Sequence, residues 1–263
     1  MIATYGHGTH NDFVLVFDAE DKLIFTADQV KRICDRKSGV GADGFIRITK
    51  QNNQWFMDYR NADGSIAEMC GNGIRVMARY LVTRGHQSEG LFPIQTRDGS
   101  KFLRVPMDGD ISVNMGQVTD EGDIVNVLVN GSNYSARHIS IGNPHAVAFL
   151  QDLDTLGTLD VPPVVHPSSV YPEGVNVEFV EIESPDTLIM RVHERGSGET
   201  RSCGTGTCAV ALAASLHTRG QLPARWIIKP PGGTLIVDID GHSNATLIGP
   251  AVIGQDHDVS KYL

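Results

Sequence analysis

With 263 residues, 41% of them hydrophobic and 20% charged, the chain has the composition of an ordinary globular protein, not a disordered or fibrous one, and is long enough for two domains of about 130 residues. A net charge of −9 has the wrong sign for nucleic acid or an anionic membrane surface as the main partner, so a small molecule is expected. Four cysteines without paired metal-ligand spacing point to reduced thiols, and the absence of a basic leader or of an apolar run of the about 20 residues that a span needs makes the cytoplasm the default.

His7-Gly8-Thr9-His10-Asn11-Asp12 leads into Phe13-Val14-Leu15-Val16-Phe17, an apolar run of strand length, so Asn11 is expected at a loop-to-strand edge. There it can be a ligand group or a turn-former bonding its own backbone. Thr26-Ala27-Asp28-Gln29 has capping-box form and predicts a helix to about Lys37, stopped by Gly39, with Cys34 in its core. Gly39-Val40-Gly41-Ala42-Asp43-Gly44 matches the dinucleotide-binding glycine pattern, but it follows a helix and opens a strand, the reverse of what that fingerprint requires. It reads instead as a tight turn or a loop approaching a ligand.

Hairpin signals at Asn52-Asn53, Asp98-Gly99, Asn130-Gly131 and Asp240-Gly241 predict mainly antiparallel sheet. The polar stretch 116–123 is the expected domain boundary, and the proline-rich stretch 160–174 is expected to be a long surface loop. From Gly204 to Leu216 there is no charged residue, so this segment lacks the solvated face of a surface helix and predicts a buried one. A cationic last turn, His217 to Arg219, and a C-cap glycine, Gly220, close it.

Cys203-Gly204-Thr205-Gly206 opens that helix, and Cys70-Gly71-Asn72-Gly73 stands 133 residues earlier. The same shift carries Met57 onto Met190, Asn61 onto Glu194, Ala78 onto Ala211, Gly41 onto Gly174 and Asp43 onto Asn176; a shift of 132 carries Asn11 onto Asn143. The pattern is that of a diverged duplication. Two like halves packed about a pseudo-twofold axis would bring both helix starts, with their cysteines, to one cleft.

One buried thiol is most often a small hydrophobe, but two at duplicated, glycine-flanked helix starts are costly places for packing residues. The unpaired amides there attract anions and are expected to lower the thiol pKa. His145 and Glu194, the titratable groups nearest these motifs, are able to shift a thiol further, or else are a satisfied core histidine and a surface ion pair. A cysteine hydrolase needs one thiol; two symmetric ones suit two bases, one taking a proton from one face of a carbon and the other returning one to the opposite face. The outcome is inversion. Two such thiols would also be expected to join as a Cys70–Cys203 disulfide on oxidation in the empty site.

Asn11-Asp12-Phe13, Asn61-Ala62-Asp63-Gly64-Ser65, Met69-Cys70-Gly71-Asn72-Gly73, Gly142-Asn143-Pro144-His145, Gly174-Val175-Asn176, Glu194-Arg195-Gly196-Ser197-Gly198-Glu199-Thr200 and Ser202-Cys203-Gly204-Thr205-Gly206 together resemble the diaminopimelate epimerase family over nearly the whole chain. The resemblance implies an α+β fold of two pseudo-symmetric halves, each a mainly antiparallel curled sheet around a central buried helix, with the active site in the cleft between them. It divides the chain into residues 1–117 carrying Cys70, 118–249 carrying Cys203, and a tail, 250–263, returning to the first half.

By the same resemblance Cys70 and Cys203 are the catalytic acid and base, and His145 and Glu194 tune the thiols. Gly71, Asn72, Gly204 and Thr205 hold the reacting carboxylate, while Asn11, Asn61, Asn143, Asn176, Glu194 and Arg195 bind the amino and carboxylate groups. The implied enzyme interconverts LL- and meso-diaminopimelate for lysine and cell-wall precursor synthesis as a cytoplasmic homodimer, with no cofactor, metal, nucleic-acid partner or membrane. Two other readings stay open: a proline or hydroxyproline racemase, and a thiol-based redox or ligand-binding module without turnover.

Overall fold

In the computed structural model, residues 1–263 are described, the side chain of Arg219 excepted. The chain separates into two compact units, Met1–Val113 with Ile248–Leu263, and Asn114–Leu247. Both are mostly sheet.

The first unit runs β1 (Ile2–Gly8), β2 (Asn11–Phe17), α1 (Ala27–Cys34), β3 (Gly44–Gln51), β4 (Gln54–Asn61), α2 (Gly71–Thr83), β5 (Gly90–Thr96), β6 (Gly99–Val105), the start of β7 (Ile111–Gln117), and finally β18 (Val252–Asp258). Pairing places them in the order β18-β1-β2-β3-β4-β5-β6-β7, parallel at β2–β3 and β4–β5 and antiparallel elsewhere. Thr26 caps α1 through a complete capping box with Gln29. The helix ends at Cys34 and not near Lys37, because Asp35 turns its carboxylate onto the amides of Lys37 and Ser38, offering the backbone an alternative to a further turn. Gly39 is then forced: a Cβ there would lie 2.3 Å from the Arg32 carbonyl oxygen.

Helix α2 packs against β1, β2, β3, β4, β6 and β18. Two arginines lie buried along it. Arg75 is satisfied by the carbonyls of Gly71 and Pro250 and by Asn72, and Arg79 by the carbonyls of Pro106, Met107 and Gly109.

The second unit runs β8 (Thr119–Val129), β9 (Ser132–Ser140), β10 (Pro144–Leu150), β11 (Val164–His166), β12 (Asn176–Ser184), β13 (Thr187–Glu194), β14 (Gly198–Thr200), α3 (Gly204–Ala214), β15 (Ala224–Lys229), β16 (Leu235–Ile239) and β17 (Asn244–Gly249). Its order is β8-β9-β10-β12-β13-β15-β16, parallel at β10–β12 and β13–β15. This repeats, pair for pair, the first unit's series from β18 to β6. Register corrects one equivalence: Phe13 pairs with Gly44 as His145 pairs with Asn176, so Gly44, and not Asp43, is the counterpart of Asn176. One extra residue within β12, where the register shifts between Ile182 and Ser184, then gives the 133-residue shift of the cysteines.

Residues 116–123, the expected boundary, follow closely on the divide between Val113 and Asn114 and are strand ends of β7 and β8, with a register shift between Asp120 and Ile124. The stretch 160–174 is largely irregular as expected, but Val164–His166 adds a short strand to β8 and Tyr171 is buried. Helix α3 is buried except at Thr205 and packs on β8, β9, β10, β12, β15 and β16. It does not run on as α-helix to Leu216: a π-helical turn, Ser215–Arg219, takes over, capped by Gly220 in the left-handed region. His217 in that turn stacks on Phe149, with ring centroids 4.4 Å apart, and the charge expected of Arg219 lies outside the described residues.

Candidate active site

Cys70 is the N-cap of α2, in extended conformation, and its sulfur accepts the Gly73 amide at 3.5 Å. Its thiol donates to Asn11 Oδ1 at 3.7 Å, and Asn72, fully buried, donates to the same oxygen at 3.3 Å. Behind Asn11, its amide donates to Asp43 at 3.1 Å, and Arg36 bridges Asp43 and Asp12 at 2.7 and 2.9 Å. Asn61, at the end of β4, donates to Ser65 at 3.0 Å and accepts from the Tyr59 hydroxyl at 3.2 Å.

Cys203 caps α3 in the same way, accepting the Gly206 amide at 3.4 Å, and its sulfur lies 3.5 Å from the Thr205 hydroxyl. Asn143, equivalent to Asn11, donates to Thr205 at 3.4 Å and accepts from His145 Nε2 at 3.1 Å. In each unit, then, the amide of one strand-edge asparagine meets the second residue after the capping cysteine. His145 is fully buried, and its Nδ1 lies 2.6 Å from Oε1 of Glu178, also fully buried. Asn176 donates to the Pro144 carbonyl at 3.1 Å and accepts the Arg195 amide at 2.9 Å; the Thr200 hydroxyl donates to Glu194. Arg195 is exposed, with one guanidinium nitrogen on the Glu173 carbonyl at 3.3 Å.

The helix-end amides do not lower both thiols as expected. Burial pushes the Cys203 thiol well above its ordinary value, the Glu194 and Glu178 carboxyls add to the rise, and the Thr205 hydroxyl and Gly206 amide oppose it without prevailing. Burial likewise raises Glu194, against hydrogen bonds from Thr200 and Cys203. At rest Cys203 therefore holds its proton beside a carboxyl group that also favours one. Among the described residues no group of three or more His, Cys, Asp or Glu side chains is arranged to hold a metal ion, and no helix is long and apolar enough to cross a membrane.

Comparison with known proteins bears on what this arrangement serves. The family model for diaminopimelate epimerase matches residues 3–120 and 137–254. The diaminopimelate epimerase of Streptomyces coelicolor is 46% identical, with 94% of this chain and 91% of that protein covered. The chain belongs to the diaminopimelate epimerase family. The diaminopimelate epimerase of Thermobifida fusca is 42% identical, covering 97% and 96% of the two chains. Among solved structures, a PhzF-family phenazine biosynthesis protein from Bacillus anthracis has a TM-score of 0.71 at 16% identity, covering 97% of each chain. A hydroxyproline epimerase from Agrobacterium vitis has a TM-score of 0.71 at 15% identity, covering 98% and 91%; these two share the fold.

At this site the diaminopimelate epimerase family member holds a fully buried acid that sequence reasoning passed over. Glu178 lies between Val177 and Phe179 in an apolar strand, and its only signal was that an acid there must be paired. Its partner becomes visible once β10 and β12 are seen to be neighbours. The Arg36 bridge to Asp12 and Asp43 was missed for the same reason.

Proposed function

We propose that the protein converts LL-diaminopimelate to meso-diaminopimelate by two-base proton transfer between Cys70 and Cys203, without pyridoxal phosphate or metal. The observation that carries this reading is that the two cysteines, at duplicated positions, each cap a buried helix and each accept one of its first amides. The ionised sulfur takes the alpha proton, and the electron pair left on carbon is delocalised into the carboxylate. The opposite thiol then delivers its proton to the other face, so the two cysteines end with exchanged protonation states. The two cysteines exchange the roles of acid and base with the direction of reaction.

The first backbone amides of the two helices, at Gly71, Asn72, Gly204 and Thr205, receive the carboxylate on which charge develops. Asn11, Asn61, Asn143, Asn176, Glu194 and Arg195 supply neutral amides and one balanced charge pair for the amino groups and the distal carboxylate, which suits a zwitterionic diamino diacid. His145 and Glu194 set the Cys203 side. The enzyme works as a cytoplasmic homodimer in lysine and peptidoglycan precursor synthesis.

The test is incubation with LL-diaminopimelate in heavy water. Formation of the meso isomer with deuterium at the inverted alpha carbon is expected. Inversion of proline instead, or no solvent deuterium in either isomer, would sink the assignment.

A further inference from the structure

One fully buried acid has no part in the chemistry above. Glu178 Oε1 touches His145 Nδ1 at 2.6 Å, while its Oε2 is buried without a hydrogen-bond partner. From there polar contacts run in one line: His145 Nε2 to Asn143 Oδ1 at 3.1 Å, Asn143 Nδ2 to Thr205 Oγ1 at 3.4 Å, and Thr205 Oγ1 to Cys203 Sγ at 3.5 Å.

Hydrogen-bond chemistry gives the line a direction. Asn143 Oδ1 only accepts, so His145 Nε2 must carry hydrogen. A neutral imidazole with Nε2–H has a bare Nδ1, and Nδ1 then needs a donor; an imidazolium needs an acceptor. One proton shared between Nδ1 and the Glu178 carboxyl meets either case, and it leaves the buried pair without the uncompensated charge that an unpartnered Oε2 would otherwise carry. Asn143 then presents N–H to the Thr205 oxygen, and the Thr205 hydroxyl hydrogen is free to donate to sulfur. Helix α3 closes over this carboxyl group: a Cβ at Gly206 would lie 2.6 Å from Glu178 Oε1.

We infer that Glu178 is a positioning residue for the reaction, fixing hydrogen on His145 Nε2 so that the chain through Asn143 and Thr205 delivers a hydroxyl donor to the Cys203 sulfur. The donor matters when Cys203 is the thiolate, because a hydrogen bond to the charged form stabilises it. Asn143 keeps its second amide hydrogen for substrate.

The inference rests on the two-cysteine reading for its kinetic arm only. Glu178→Gln can turn an amide N–H to Nδ1 and keep the direction; Glu178→Met fills the space but cannot. Glu178→Gln is expected to keep kcat within about threefold of the parent, and Glu178→Met to lose more than about tenfold in kcat with KM little changed. Nitrogen-15 NMR of histidine-labelled protein without substrate, with His145 assigned by its loss in His145→Gln, should show Nε2–H retained in the parent and Glu178→Gln and lost or averaged in Glu178→Met. Equal rates for the two variants, or Nε2 without hydrogen in the parent, would overturn the inference. If Glu178→Met fails to fold, the glutamine variant decides alone: a folded Glu178→Gln with kcat down more than about tenfold refutes it. A parent that does not epimerise diaminopimelate would end the functional reading and leave the NMR arm standing.

Discussion

Cys70 and Cys203 occupy positions usually held by serine, threonine, aspartate or asparagine, the residues whose short oxygen best accepts a helix amide. A sulfur there is a weaker cap, which is reason to look for chemistry in it. Cys70→Ala and Cys203→Ala should each lower inversion by more than about a hundredfold, since one thiol serves one face of a carbon, while thermal melting changes little. A residual rate above a tenth in a steady-state assay of either variant would contradict the two-base assignment. The two motifs and the asparagines near them were legible in sequence because each is a short local signature. Glu178 and the net rise of the Cys203 thiol were not, since both depend on which strands become neighbours.

The rise has a measurable sign. Because the folded protein keeps the Cys203 proton at a pH where the unfolded chain has released it, this group's stability is full below the ordinary thiol value of about 8.5 and is lost as pH climbs above it. Urea midpoints measured from neutral to strongly alkaline pH should therefore fall for the parent and fall less for Cys203→Ala. Cys34, pushed up to about 12 by burial, remains as a common background. Identical slopes in the two proteins would show that Cys203 titrates normally.

Among the elements, Gly206 in the first turn of α3 is tightly seated. Gly206→Ala would drive a methyl group into the buried Glu178 carboxyl, with the Cys203 sulfur 3.3 Å away on the other side, and overpacking of this kind costs about 1–3 kcal/mol. Both stability and kcat should drop, whereas Gly131→Ala, with nothing near its Cβ, should spare kcat. Equal kcat losses in the two variants would argue against a close seat for the helix. The duplication foretold that α2 and α3 would share a setting, and each indeed packs on the sheet of its own unit. Residues 116–123 were legible as lying near the divide between the units, but not as strand: Gly116, Asp120, Glu121, Gly122 and Asp123 look like turn composition, and a strand with an irregular register accepts them. The early end of α1 was likewise hidden, depending as it does on where the Asp35 side chain turns.

At the scale of the molecule, oxidation offers a check on the two-thiol reading that needs no substrate turnover. Mild oxidant without substrate should give an inactive Cys70–Cys203 disulfide, reversed by dithiothreitol and slowed by bound substrate. Cys34 and Cys208, both buried in helices, should stay free in non-reducing peptide mapping. A Cys203–Cys208 link, or inactivation that reductant cannot reverse, would count against thiols that face one carbon.

The strand series that the second unit draws from consecutive chain is completed in the first by β18, which pairs with β1, and by Val259, buried in the core of Ala3, Val14, Val16 and Phe45. Those residues are translated only after the whole of Asn114–Leu247. On the ribosome, then, the second unit has every strand of its series in hand while the first, though begun earlier, still waits with the edge of β1 open, so the order of synthesis and the order of completion are reversed. Until β18 arrives, that edge is an open template for pairing with another copy.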